Sequence, residues 1–169
     1  MTKLKYFQNY PATIKDQVLS LIESGKLKSY LKNKYPNPHH INSDKLLYQY
    51  ANDLKKQYMR NTPQISKVLY EKQKDLINNA LGTHSFVSRN HGGKLKSKHE
   101  IRIAMFLKEA PEEMLEMLVV HELAHFKEKD HNKAFYKLCQ YMQPDYHQVE
   151  FDLRLYLVLL DQGESLFNN

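Results

Sequence analysis

The stretch VVHELAHFKEKDH, residues 119–131, places two histidines four positions apart around a glutamate, with a third histidine six positions later. On a helix, positions i and i+4 lie on one face, so the imidazoles of His121 and His125 can point at one metal ion. Glu122 would approach from the side as general base for a metal-activated water. The spacing therefore predicts a hydrolytic metal centre on a helix, with ordinary hydrogen-bonded histidines as the alternative.

A catalytic zinc site typically has three protein ligands and one open position. We predict His131 as the third ligand, because FKEKD lets the chain leave the helix and curl back, and Asn132 would cap the next helix. The alternatives are a carboxylate of the last helix, Glu150 or Asp152, His147, or no third protein ligand. Glu150 could instead orient a ligand from outside the coordination shell. Zn²⁺ is the expected ion, although imidazole also binds Mn²⁺ and Ni²⁺.

The residues before this stretch have the pattern of a small sheet. The segments ISKVLY (65–70), THSFVS (83–88) and EIRIAMF (100–106) are short and alternating or β-branched, with glycines between them. Gly92 and Gly93 supply a turn, which favours an antiparallel arrangement. Pro111 and the two glutamates after it are typical of the start of a helix, which would carry the histidines.

Helical patterns occupy both ends of the chain. Ile14, Val18 and Leu21 recur at helical spacing, and Gly25 is suited to end that helix. A second helix is predicted from Ser43 as N-cap, with a buried stripe that begins at Leu46. After the histidines, we predict a helix from about Asn132 to Met142 and a last helix through VEFDLRLYLVLLD.

The predicted class is α+β, with three parts in one compact unit. They are an N-terminal helical extension (1–64), a catalytic core (65–163) and a polar tail (164–169). The charge of +6, from 25 Lys and Arg against 19 Asp and Glu, favours anionic partners. The single cysteine excludes an internal disulfide, and neither a signal segment nor an apolar run of about 20 residues is present. We therefore expect a cytoplasmic protein without a membrane anchor.

The segment VVHELAHFKEKDHNKAFY resembles the YgjP-like metal-dependent hydrolases, relatives of the SprT-like and WLM metallopeptidases. The resemblance extends to DLKKQYMRNTPQISKV, NALGTHSFVSR, GGKLK and YHQVEFDLRLYL. It implies a zincin-like core with a small antiparallel sheet above the HELAH helix, metal held by His121, His125 and His131, and Glu122 catalytic. Many broader relatives carry Trp-Gly-Ser-Cys before the hairpin, whereas this chain reads LGTHSFVSRNHGG, so its substrate-facing strand is expected to differ.

Peptide hydrolysis is the default interpretation of this pattern. An extended peptide would pair with EIRIAMF as an exposed edge strand, and the scissile carbonyl would then lie at the metal. Tyr136, Tyr146 and His147 are candidate assistants in stabilising the oxyanion. No motif specifies a particular peptide.

The resemblance also implies a second activity, hydrolysis of UTP to the monophosphate and pyrophosphate. Cations would then surround a polyphosphate, and Lys94, Lys96, Lys98, Arg89 and Arg102 are the candidates. The alternative for the lysines is an ordinary solvated hairpin. A third interpretation is a basic DNA-binding protein with structural zinc, but a structural zinc site would favour cysteines and would leave the glutamate between the histidines unexplained.

Overall fold

The computed structural model of the chain describes residues 3–72 and 99–167. Within these residues there are six α-helices, two β-strands and two short 3₁₀ helices. In chain order they are a 3₁₀ helix (Lys5–Phe7), α1 (Ala12–Glu23), α2 (Leu27–Lys34), α3 (Asp44–Tyr58), β1 (Ile65–Glu71), β2 (His99–Ala104), a 3₁₀ helix (Met105–Glu109), α4 (Glu112–Ala124), α5 (Lys133–Met142) and α6 (Tyr146–Asp161). This mixture confirms the predicted α+β class.

The N-terminal helices follow local signals in the sequence. Gly25 adopts φ +75° just after α1, a conformation that glycine accepts without strain. The Ser43 hydroxyl accepts a hydrogen bond from the Leu46 amide and caps α3 as predicted. Leu46 itself is 41% exposed, so the buried stripe was predicted wrongly at that end. The short helix α2 was not predicted, because its two buried leucines are too few to produce a clear period.

The sheet in the described residues is parallel, so the predicted antiparallel arrangement was wrong. β1 and β2 pair side by side with Val68 opposite Ile101 and Tyr70 opposite Ile103. Residues 72–98 connect the two strands, a length that allows the crossover which parallel strands require. The prediction read the two glycines as the turn of a hairpin. Those glycines and the predicted strand THSFVS lie outside the described residues.

Helix α4 lies at the centre of the core. From Met114 onward it is buried apart from Glu116, and it packs against β2, α3, α5 and α6. A helix that is apolar on every side is typical of such a central position. In residues 3–72 and 99–167, no helix combines the length and apolarity that a membrane crossing requires.

A buried carboxylate connects the N-terminal helices to the last helix. Asp152 of α6 is fully buried and accepts hydrogen bonds from the hydroxyls of Tyr30 (3.1 Å) and Tyr35. The Lys34 ammonium lies 2.8 Å from the same carboxylate. Burial and the neighbouring carboxylate raise the pKa of Tyr35, so its hydroxyl stays neutral and donates. Asp152 thus joins α2 to α6.

Candidate metal centre

Three histidine side chains converge at the end of α4. The Nε2 atom of His125 lies 3.3 Å from Nε2 of His121 and 3.0 Å from Nε2 of His131. Nitrogens bound tetrahedrally to one zinc ion at about 2.0–2.1 Å stand about 3.3 Å apart. These two distances therefore fit a shared divalent ion, and all three ligand atoms lie within 4.8 Å of one another. Among the described residues, no other group of three His, Cys, Asp or Glu side chains has this clustering.

The end of α4 explains how three ligands from a short stretch can meet. His125 is the C-cap of the helix and keeps helical backbone angles, so it stays one turn above His121. The chain then turns back, and the amides of Lys127 and Glu128 both donate to the Ala124 carbonyl. This tight reversal brings His131 towards the two helical histidines.

The reversal also determines which nitrogen of His125 carries a proton. The Nδ1 atom lies 3.0 Å from the Glu128 backbone carbonyl, which can only accept a hydrogen bond. Nδ1–H is therefore the donor, and in the neutral ring Nε2 keeps its lone pair. That lone pair points into the cluster, as a metal ligand must.

The start of α5 holds the third histidine in place. The Asn132 side chain accepts a hydrogen bond of 2.8 Å from the Phe135 amide and caps the helix, as predicted. The Phe135 ring is fully buried, and its centroid lies 4.9, 4.5 and 5.0 Å from the rings of His121, His125 and His131. One aromatic side chain thus packs against all three imidazoles and limits their rotation.

Behind the cluster, His121 contacts a buried tyrosine. Its Nδ1 atom lies 2.8 Å from the hydroxyl of Tyr146, the first residue of α6. The Tyr146 hydroxyl and the Cys139 thiol are close enough for each to influence the pKa of the other. Both residues are fully buried, and burial raises the pKa of each. Tyr146 was a predicted candidate for stabilising the oxyanion, but the structure places it on the far side of His121, a contact that no local sequence pattern signals.

Glu122 directly follows His121, on the same turn of α4. It is largely buried, with 8% of the residue exposed. Its predicted role as general base, a carboxylate that accepts a proton from water, stays a prediction from the sequence. His125 and His131 are only partly buried, so the cluster reaches the surface on their side.

The alternative third ligands lie elsewhere. The Glu150 carboxylate is 3.7 Å from both His147 Nδ1 and Arg154 Nη2, and it is not part of the histidine cluster. Burial raises the pKa of Glu150, while Arg154 and His147 partly offset this effect. Asp152 is engaged by Tyr30 of α2 and by Tyr35, which follows that helix. His131 is therefore the candidate that the structure brings to the other two histidines.

Of the predicted phosphate-binding cations, only Arg102 falls within the described residues. Its guanidinium donates to Glu71 at 2.8 Å and to Glu100 at 3.1 Å, so its charge is already paired. Lys94, Lys96, Lys98 and Arg89 lie outside the described residues.

The two faces of β2 have different surroundings. The ring of His99 lies 4.7 Å from that of Phe126, the residue after His125. Side chains alternate along a strand, so Arg102 lies on the sheet face opposite to His99. His99, which was not among the predicted site residues, therefore lies on the face of β2 opposite to Arg102 and next to the residue that follows His125.

Comparison with known proteins agrees with this geometry. The family model described as "YgjP-like, metallopeptidase domain" matches residues 22–156, which include the whole histidine cluster. The chain is 52% identical over 165 residues to a protein of Escherichia coli (strain K12) named UTP pyrophosphatase, covering 98% of this chain and 99% of that protein. No solved structure matches significantly. The chain therefore belongs to the YgjP-like metallopeptidase-domain family and is a metal-dependent hydrolase.

Proposed function

We propose that the chain hydrolyses UTP to UMP and pyrophosphate, with the histidine cluster as its metal centre. The observation that carries this proposal is the 52% identity, over nearly the full length of both chains, to a protein named UTP pyrophosphatase. Two chains this similar along their whole length are expected to share the residues that surround their sites. This activity is therefore our first candidate, ahead of the peptide hydrolysis that the sequence alone favoured.

In this proposal, His121, His125 and His131 hold one divalent ion through their Nε2 atoms. The fit rests on the donor set itself, three imidazole nitrogens within 4.8 Å of one another, with His125 Nε2 at 3.3 and 3.0 Å from the other two. Zn²⁺ is the expected ion, and Mn²⁺ or Ni²⁺ would also accept imidazole. A bound ion supplies Lewis acidity, which makes water a stronger acid and offsets negative charge on the reacting phosphate.

Glu122 acts as the general base. Its carboxylate takes a proton from water as the water oxygen attacks the α-phosphorus of UTP. A new P–O bond forms, the bond between the α-phosphorus and the bridging oxygen breaks, and pyrophosphate leaves with the electron pair. The burial of Glu122 reduces competition from bulk water for its carboxylate.

Pyrophosphate binding requires positive charge beyond the histidines. Lys94, Lys96, Lys98 and Arg89 remain our candidates for it, as predictions from the sequence. We assign Arg102 a smaller role than its sequence position predicts, because Glu71 and Glu100 already neutralise its charge. The zincin-like arrangement of the core and the cytoplasmic location also remain predictions.

Peptide hydrolysis is the second candidate function. It is supported by the metallopeptidase description of the family and by β2, which has one partner strand within the described residues. An extended peptide could add to the other edge of β2 and present a carbonyl to the same centre. DNA binding has no comparable support.

The test is a nucleotide assay with a matched pair of variants. Metal-replete protein is incubated with UTP, CTP, ATP and GTP, and pyrophosphate and nucleoside monophosphate are measured. Glu122→Gln should abolish release, whereas Glu112→Gln, an exposed carboxylate on the same helix, should leave it unchanged. Absence of pyrophosphate with Zn²⁺, Mn²⁺ and Ni²⁺ would reject the proposal. Cleavage of a reduced, alkylated protein, lost in Glu122→Gln, would support the second candidate.

A further inference from the structure

A chain of three buried side chains runs behind the metal centre, from His121 through Tyr146 to Cys139. We propose that Tyr146, supported by Cys139, is a positioning residue that holds His121 in the tautomer able to bind metal. The inference rests on the metal centre of the proposed function and extends it to residues that do not touch substrate.

The argument begins with the proton on His121. Its Nε2 atom faces the other two histidines and must carry a lone pair to ligate an ion, so the proton of the neutral ring must be on Nδ1. Nδ1 lies 2.8 Å from the Tyr146 oxygen. In the binding-competent tautomer, Nδ1–H donates and the tyrosine oxygen accepts.

The single hydrogen of the Tyr146 hydroxyl must then point elsewhere. The acceptor that we propose for it is the sulfur of Cys139, a fully buried side chain of the neighbouring helix α5 that interacts with the Tyr146 hydroxyl. Sulfur is a weak acceptor, but one hydrogen bond from the hydroxyl to the sulfur is enough to determine which group donates at each step from His121 to Cys139. Without that acceptor, the hydroxyl would donate to Nδ1, and the His121 proton would move to Nε2 and block the ligand position.

The surroundings keep this arrangement in place. Tyr146 and Cys139 are fully buried and His121 is 2% exposed, so bulk water does not reach these three side chains. The Tyr146 amide donates to the Gln143 carbonyl at 2.9 Å, which fixes the start of α6. The direction of the two hydrogen bonds is therefore determined by protein groups.

The first experiment measures Zn²⁺ affinity by competition with a chromophoric chelator, without substrate. Tyr146→Phe keeps the ring and removes only the hydroxyl, and loss of an outer-shell partner weakens metal binding by about 10- to 100-fold. Tyr156→Phe is the matched control, because it removes a hydroxyl from a buried tyrosine of the same helix whose ring stacks on Phe106. Affinity close to wild type in a folded Tyr146→Phe would overturn the inference.

A second pair of variants tests the direction of the hydrogen bonds from His121 to Tyr146 and from Tyr146 to Cys139. Cys139→Ala removes the acceptor and should weaken Zn²⁺ binding, whereas Cys139→Ser supplies a new acceptor and should restore it. A merely structural role of Cys139 predicts instead that Zn²⁺ affinity follows the thermal stability of the metal-free variants. Equal Zn²⁺ affinity in the alanine and serine variants would also overturn the inference. If Tyr146→Phe does not fold, the comparison of these two Cys139 variants tests the inference by itself. Because no assay contains a nucleotide, a wrong substrate proposal would leave these results unchanged.

Discussion

At the scale of single residues, substitutions of His131 and Glu150 should differ in their effect on metal binding, because only one of the two residues is the third ligand. His131→Ala should lower the metal content of purified protein and weaken Zn²⁺ binding severely, because only two imidazoles would remain. Glu150→Gln should keep about one ion per chain, since Glu150 contacts His147 and Arg154 and not the cluster. Elemental analysis after dialysis measures both. The reverse pattern would make Glu150 the ligand.

Glu122 should affect catalysis without affecting metal binding. We expect Glu122→Gln to bind one Zn²⁺ per chain with nearly wild-type affinity and to lose hydrolytic activity by at least about 100-fold, the usual contribution of a general base. Metal titration and turnover are measured on the same preparation. Loss of the ion together with activity would make Glu122 a ligand instead of a base.

Sequence predicts a residue's neighbours well only when they are close along the chain. The approach of His121 to His125 was predictable because helical geometry alone imposes it. The contact between His121 and Tyr146 was not, because it depends on how α6 packs against α4. The pairing of Arg102 with Glu71 depends in the same way on the register of two strands.

At the scale of elements, the first turns of α4 respond to pH through Glu116. Burial, followed by Asp145, Glu112 and Glu113, raises the pKa of Glu116 from its ordinary 4.5 to about 7. The folded state therefore holds this proton to a higher pH than the unfolded state does. The stability that the proton contributes is lost as pH rises from about 4.5 to about 7.

Glu116→Gln should remove the loss of stability that accompanies deprotonation of Glu116. We expect the variant to be more stable than wild type at pH 8, by less than about 1 kcal/mol because solvent screens a partly exposed group. At pH 4 the difference should vanish. Urea unfolding at the two pH values measures it, with Glu23→Gln as control, because Glu23 is exposed and is not among the groups that raise the pKa of Glu116. A greater advantage at pH 4 than at pH 8 would contradict the assigned shift.

The cap of α5 should influence both stability and the metal centre. Asn132→Ala removes the acceptor for the Phe135 amide, and loss of such a cap costs about 1 kcal/mol of the free energy of unfolding. Because His131 immediately precedes the cap, Zn²⁺ affinity should also fall. Asn132→Asp keeps an acceptor and should retain both properties. Unchanged Zn²⁺ affinity in Asn132→Ala would show that the helix cap does not influence the position of His131.

Helices were easier to predict than strand pairing. The caps Ser43 and Asn132 were predictable because an N-cap is a local signal. The direction of β2 relative to β1 depends on the path of residues 72–98, and two glycines in that segment do not specify it. Alternating residues identify a strand but not its partner.

At the scale of the whole molecule, the N-terminal helices and the catalytic part share one core. Leu31 of α2 and Leu47 of α3 are fully buried in the same cluster as Leu115 and Leu155. The buried carboxylate Asp152 adds a polar connection between α2 and α6. We therefore expect a single cooperative unfolding transition.

Asp152→Ala should destabilise the entire chain. Its removal leaves the hydroxyls of Tyr30 and Tyr35 without their buried acceptor, at a cost of about 3 kcal/mol. Urea unfolding should show one transition at a lower midpoint by both circular dichroism and tyrosine fluorescence. Two separate transitions would show that the N-terminal helices fold independently of the metal centre.

The most direct test of the central claim is an anomalous-diffraction map of crystals grown with Zn²⁺, recorded at the zinc absorption edge. The account predicts one strong peak, about 2.0–2.1 Å from each Nε2 atom of His121, His125 and His131. A peak at other residues, or none between the three imidazoles, would contradict it.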